Sequence, residues 1–326
     1  MPPAMPRVVR LRLHAAVDGV RLTLEPAAVL SGESRDRSDV GRDEEPSLWS
    51  EPSLDDKAPI LRRVCEVAAS FPAASNLHER RQHIGHELGR LEVLSQMVCC
   101  SLVDFAAHGR VPRRSDEQLS EVPLKTILHL RPEEAVCFIS HRWLRPSEAN
   151  PDDHQLTKYR AVVDAVRSYA GQRGLPETAV YIWMDFPCLC QDDPAVMFRA
   201  LYSLGLYLLC CDAMITIDHS EYWARAWCRV EVVFADAGLL SRCTFQAASG
   251  ELRFMSVEDR MSADLNPMTG ALQVEKDRKI VEVLCEVCSL IRGRRLYDSF
   301  RLFSTGSGRL ALGKSLGGSS SASTPE

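Results

Sequence analysis

The chain has 326 residues, 45% hydrophobic and 25% charged, an ordinary composition for a folded globular protein of one or two domains. Thirty-nine basic and 44 acidic side chains leave a formal charge of −5. That balance excludes the basic excess of a general nucleic-acid binder, and a chain of this length needs no disulfide staple to bury a core.

In chain order, Val9-Arg10-Leu11-Arg12-Leu13 and Val20-Arg21-Leu22-Thr23-Leu24 alternate around Asp18-Gly19, which reads as a β-hairpin. Residues 31–57 are polar and Pro-rich, the composition of a disordered linker, so 1–57 is expected to be mostly disordered. Arg7, Arg10 and Arg12 interrupt the apolar residues there, against a secretory signal. Residues 58–108 read as an amphipathic helical segment. Leu77, Ile84, Leu88, Leu91, Leu94, Val98, Leu102 and Phe105 recur at steps of three, four or seven, and Gly109 suits a helix end. Such a helix either packs on the main domain or binds a partner; Gly85 and Gly89 argue against a coiled coil. The segment 58–130 is therefore expected to be a helical extension.

From residue 131 short apolar runs alternate with helical patterns. Strands are predicted at 135–140, 179–185, 213–217 and 243–247, with a short extra one at 255–257. Helices are predicted at 155–172, 195–211, 226–237 and 279–292. This alternation predicts an α/β domain over 131–303, a parallel sheet covered on both faces. The uncharged stretch at 200–211 is too short for a membrane span. Residues 304–326 are Gly/Ser-rich and read as a disordered tail.

The twelve cysteines fall mostly inside apolar runs, as in Val98-Cys99-Cys100 and Leu209-Cys210-Cys211. They read as reduced, small hydrophobes of a cytoplasmic protein. Cys285 and Cys288 form a CxxC inside a helical apolar pattern, and Cys188 and Cys190 have no second pair nearby, so no metal site is expected. Residues 308–315 spell the letters of a P-loop, but no strand precedes them and no helix can follow, so a chance match is the reading taken.

In a doubly wound sheet, ligands bind beyond the carboxyl ends of the strands. The first strand is followed by Ser140, His141, Arg142 and Trp143. The second is followed by Asp185, and the third by Asp218, His219, Glu221, Tyr222, Trp223 and Arg225. His141, Arg142 and Trp143 suit contacts to a phosphate or an aromatic ring, or else pack the rim. Asp185 either meets ligand or caps the next segment. Trp227 and Glu231 stand at i and i+4 on one side of a helix.

Phe138-Ile139-Ser140 before a polar loop, and Trp227-Cys228-Arg229-Val230-Glu231 on a late helix, resemble the Toll/interleukin-1 receptor (TIR) domain. Trp183, Asp185, Cys188 and Gln191 resemble the Trp-x-Asp-x-x-Cys-x-x-Gln pattern of the fungal heterokaryon-incompatibility domain, itself regarded as TIR-like. The resemblance covers about residues 131–247. It implies a flavodoxin-like doubly wound sheet and one of two roles, in intracellular defence or signalling. The first is cleavage of NAD at the nicotinamide–ribose bond, with Glu231 as the catalytic carboxylate; the positions of Ser140, His141, Arg142, Trp143 and Asp185 after the strands, and of Trp227 beside Glu231, then make them the expected substrate-binding residues. NAD is then a substrate, and no cofactor or metal is required. The second is a non-enzymatic module that self-associates and recruits protein partners. The chemistry of the first suits a single acid. Nicotinamide leaves a cationic pyridinium as a neutral molecule, so only the oxocarbenium-like ribosyl centre needs a negative charge beside it. The loop after the second strand departs from the TIR pattern, carrying Pro187 and two cysteines where a glycine is usual. A receiver domain of the same fold would need an acidic pair where Ser140 and His141 stand.

Overall fold

The computed structural model describes residues 63–305, except 65, 69, 71–75, 92–93, 116–118, 145–149, 219–220, 239, 257–264 and 273–274. The N-terminal hairpin, the linker, His219 and the P-loop-like letters lie outside the described residues. Seven strands form one mixed sheet: β1 (Val98–Ser101), β2 (Leu124–Thr126), β3 (Ala135–Ser140), β4 (Val180–Trp183), β5 (Ala213–Asp218), β6 (Ser241–Gln246) and β7 (Glu251–Phe254). Their order is β2-β1-β4-β3-β5-β6-β7. The four central strands are parallel, and β1, β2 and β7 pair antiparallel at the two sides.

The helices of the described residues include α1 (Leu77–Arg90), α2 (Leu102–His108), α3 (Thr157–Arg173), the single turn α4 (Asp185–Cys188), α5 (Pro194–Leu209), α6 (Ala226–Ala237) and α7 (Arg278–Thr305). β3 is buried along its whole length, as a central parallel strand must be. Its alternation sends Val136 and Phe138 into one hydrophobic layer, shared with α1, α5, α6 and α7, and Cys137 and Ile139 into the other, shared with α2 and α3. Both faces of the sheet are thus covered, the doubly wound α/β arrangement. No described helix is long and apolar enough to cross a membrane.

The segment 58–130 departs from the all-helical expectation. Its apolar spacing runs across two helices and a strand. α1 starts at a capping box between Asn76 and Glu79 and stops at Arg90, with Leu91 extended. Cys99 and Cys100 then enter the sheet through β1. Ser101 ends that strand and caps α2, its hydroxyl accepting from the Asp104 N–H at 3.0 Å. The glycines of α1 do not loosen it. A Cβ on Gly85 would lie 2.6 Å from the Leu128 side chain, so Gly85 permits close packing. Buried Arg81 ties α1 to the central sheet by donating to the Cys210 and Glu134 carbonyls, each at 2.8 Å, and to Asp212. The described part of this segment belongs to one compact unit with the α/β elements.

Two smaller expectations also change. The extra strand is at Glu251–Phe254 rather than 255–257, because a tight turn after β6, with Gly250 at φ 69°, folds the chain straight back onto it. The closing helix continues to Thr305, past the 292 expected and into the start of the predicted tail.

Candidate functional site

The chain passes from β3 to β4 on one side and crosses to β5 on the other. The strand order therefore reverses beside β3, the topological switch point where ligands bind in open α/β sheets. Two polar side chains meet there. Ser140 ends β3 and lies in register with Thr216 of β5. Both are buried, and so is Tyr222, on the short turn Tyr222–Ala224 that follows β5.

The Ser140 hydroxyl donates to Glu231 on α6 and pairs with the Tyr222 hydroxyl. Thr216 Oγ1 donates to the same phenol at 3.5 Å. The chain of hydroxyls thus runs from Thr216 through Tyr222 and Ser140 to the Glu231 carboxyl. Glu231 is half-buried, and among the described residues no basic side chain bonds it. Burial raises its pKa to about 8, and the negative charge of Asp185 adds to this; the Ser140 hydrogen bond and Arg225 oppose it. At neutral pH Glu231 holds a proton.

The strand's alternation turns His141 to the opposite face, toward α3. Its Nε2 lies 2.7 Å from Asp185 Oδ1, and its Nδ1 lies 2.9 Å from Lys158 Nζ. The Trp143 indole N–H donates to the other Asp185 oxygen at 2.9 Å. Asp185 opens α4 just beyond β4, and its side chain keeps 37% of its surface exposed. Crowding pushes its pKa up, but His141, Trp143 and the Lys158 charge outweigh that and hold it well below the usual carboxylate range. Burial, then the Lys158 charge, lowers the His141 pKa against the pull of Asp185, which favours the neutral ring.

Trp183, Cys188 and Gln191 contact the backbone and the core around Asp185 and do not touch its carboxylate. Gln191 Nε2 donates to the Asp185 carbonyl at 3.3 Å, and the Cys188 thiol donates to the Ile182 carbonyl at 3.6 Å. Trp183 stacks on Phe138 with centroids 4.4 Å apart.

The structure therefore brings Ser140 to Glu231, and His141 and Trp143 to Asp185, within one rim built from the ends of β3, β4 and β5. Arg142 is on that rim but is engaged: its guanidinium pairs with Glu221 at 2.6 Å. The His141 ring is only 3% exposed, so it acts on Asp185 rather than presenting a face to solvent. Trp227 is not joined to these side chains; its indole donates to Asp277 Oδ2 at 3.0 Å, and its half-buried ring packs on the core. Among the described residues, no group of three or more His, Cys, Asp or Glu could hold a metal ion. The described cysteines are free thiols, all buried except half-buried Cys285.

Sequence reasoning does not single out Lys158 or Tyr222. Lys158 left a signal. It falls in the stripe 158, 161, 162, 165, 166 and 169 that α3 buries, a lysine where the spacing calls for an apolar residue. Tyr222 left none beyond its place after a predicted strand. Comparison of the chain with family models, curated proteins and solved structures finds no match.

Proposed function

We propose that the chain is a TIR-like protein with a flavodoxin-like parallel core that cleaves NAD at the nicotinamide–ribose bond. The observation that carries this reading is the placement of Glu231, bonded to Ser140 where the strand order reverses, with Asp185 on the same rim. Hydrogen bonds and the Lys158 charge favour the ionised form of Asp185, while burial favours the protonated form of Glu231, which has no ion-pair partner among the described residues. Carboxyls with perturbed pKa values gathered at the ends of strands are candidates for a functional site. The order of the parallel strands, second-first-third-fourth, supports the flavodoxin-like core. The motif residues Phe138 to Ser140 and Trp227 to Glu231 support the TIR-like assignment.

In this reading the cationic pyridinium of NAD favours the ionised form of Glu231, whose proton leaves as substrate binds. The carboxylate hydrogen-bonds the ribose hydroxyls and stabilises the positive charge that grows at the anomeric carbon. The carbon–nitrogen bond breaks, its electron pair leaves with neutral nicotinamide, and water or the adenine ring takes the ribosyl carbon. Ionised Asp185 adds negative potential on the same rim. A reduced, cytoplasmic setting and self-association belong to the same proposal, as does a role in defence or signalling.

The test is nicotinamide release from NAD by purified protein over a range of protein concentrations, beside Glu231→Ala. Release that vanishes in a variant of unchanged circular dichroism is the expected outcome. No release from soluble, assembled wild-type protein overturns the reading in favour of a non-enzymatic interaction module.

A further inference from the structure

We propose that Lys158 is a positioning residue: it fixes His141 in the Nε2–H tautomer and thereby holds Asp185 ionised and oriented on the rim. The geometry of the tautomer stands on its own; its use in catalysis rests on the NAD-cleaving reading.

Lys158 sits in the first turn of α3, with 3% of its surface exposed. A lysine is almost never buried so fully without a partner that needs its charge or its protons. Its Nζ has two acceptors, His141 Nδ1 at 2.9 Å and the Arg142 carbonyl. An ammonium group has donors only. The nitrogen facing it must therefore present a lone pair, and the ring proton must lie on Nε2, the atom 2.7 Å from Asp185 Oδ1. One cation thus decides which way the imidazole proton points, two bonds from the carboxylate.

The backbone is arranged to deliver this group. Asp152 accepts from the N–H groups of Lys158 and Tyr159, both at 2.8 Å, and Asp153 accepts from Thr157 at 2.9 Å. Leu156, just before the helix, takes a left-handed φ of 56°, a conformation that an L-residue adopts at a cost.

Asp185 faces Lys158 from α4, His141 from the end of β3, Asp152 from the approach to α3, and Cys228 and Arg225 from α6 and its entry. Burial lowers the Lys158 pKa to about 7, against the pull of Asp185, Asp152 and Cys228. The charged form of Lys158, whose protons fix the tautomer, predominates below that value. While charged it disfavours a second proton on His141. When it is removed, its lowering charge is gone while the Asp185 carboxylate stays, so the His141 pKa rises.

The experiment is nitrogen-15 NMR of histidine-labelled protein from pH 5.5 to 8.5. Wild-type His141 is expected to show a protonated Nε2 and an unprotonated Nδ1 at pH 7. Lys158→Met is expected to move its titration midpoint up by about one pH unit or more, because one like charge has gone. Lys158→Arg, which keeps a charged donor, is expected to retain the Nε2–H form. An Nδ1–H tautomer or an imidazolium in wild-type protein at pH 7 overturns the proposal without any variant. So does a Lys158→Met spectrum identical to wild type. If the wild type cleaves NAD, Lys158→Met should lower kcat on the order of 10²-fold with KM nearly unchanged. Absence of cleavage in the wild type counts against the NAD reading alone, and the tautomer result still decides the role of Lys158.

Discussion

Replacing Glu231 with Gln should stabilise the protein, and by an amount that grows with pH. A carboxyl whose pKa is raised on folding binds its proton more tightly in the folded state than in the unfolded chain. Wild-type stability is therefore fully present below the ordinary value of 4.5, and is lost as pH rises toward the folded value of about 8. Each pH unit in that window costs about 1.4 kcal/mol. From pH 4.5 to pH 7 the loss reaches about 3 kcal/mol. Partial exposure of Glu231 reduces this to on the order of 2 kcal/mol. Glutamine keeps an oxygen to accept from Ser140 and carries no charge, so it escapes the loss. In a domain of this size the difference corresponds to a Tm higher by about 4–8 °C at pH 7. Melting curves of both proteins at pH 5, 7 and 9 measure it. The gap should be small at pH 5, clear at pH 7 and largest at pH 9. A variant that melts lower than wild type at every pH, or a gap that ignores pH, would show that Glu231 is a structural acid. A gain in stability with loss of nicotinamide release would be the trade expected of a functional group held in an unfavourable place.

Nicotinamide release, followed as kcat/KM, should rise with pH around a midpoint near 8, since the carboxylate is the reacting form. Asp185→Asn should move that midpoint down and Arg225→Gln should move it up, because the Asp185 charge raises the Glu231 pKa and Arg225 lowers it. Arg81→Ala should cost about 3 kcal/mol in a urea titration, leaving Asp212 and two carbonyls without their donor. A helical extension that merely leaned on the domain would lose far less. Gly205→Ala should destabilise by about 1–3 kcal/mol, since the new Cβ would lie 2.3 Å from Phe234 on α6. A neutral result there would mean that α5 and α6 can separate, and with them the seat of Glu231.

Much of the α/β core can be read from local pattern. Strands with period two and helices with a stripe at three and four residues carry their own signal, and the predictions at 135–140, 155–172 and 226–237 nearly coincide with β3, α3 and α6. Charge, cysteine placement and the residues after each strand also needed no coordinates, and they located the rim. The 58–108 segment misled because an apolar residue every three or four positions satisfies a helix even where the chain breaks. Its break was written locally, in the Ser101–Asp104 cap and in Cys99-Cys100, but a four-residue strand has too few residues to show a period.

Tertiary structure alone decided which rim residues pair. Sequence placed Ser140 beside His141 as neighbours. The pleat sent one to Glu231 on α6 and the other to Lys158 on α3, on opposite faces of the sheet. It also assigned Arg142 to Glu221 and Trp227 to Asp277, partners 79 and 50 residues away. Protonation is the furthest from local pattern. Glu231 and Asp185 are both plain acids in the sequence, and which keeps its proton depends on burial and on charges brought together from four separate segments. Those are long-range electrostatic quantities that no spacing rule encodes.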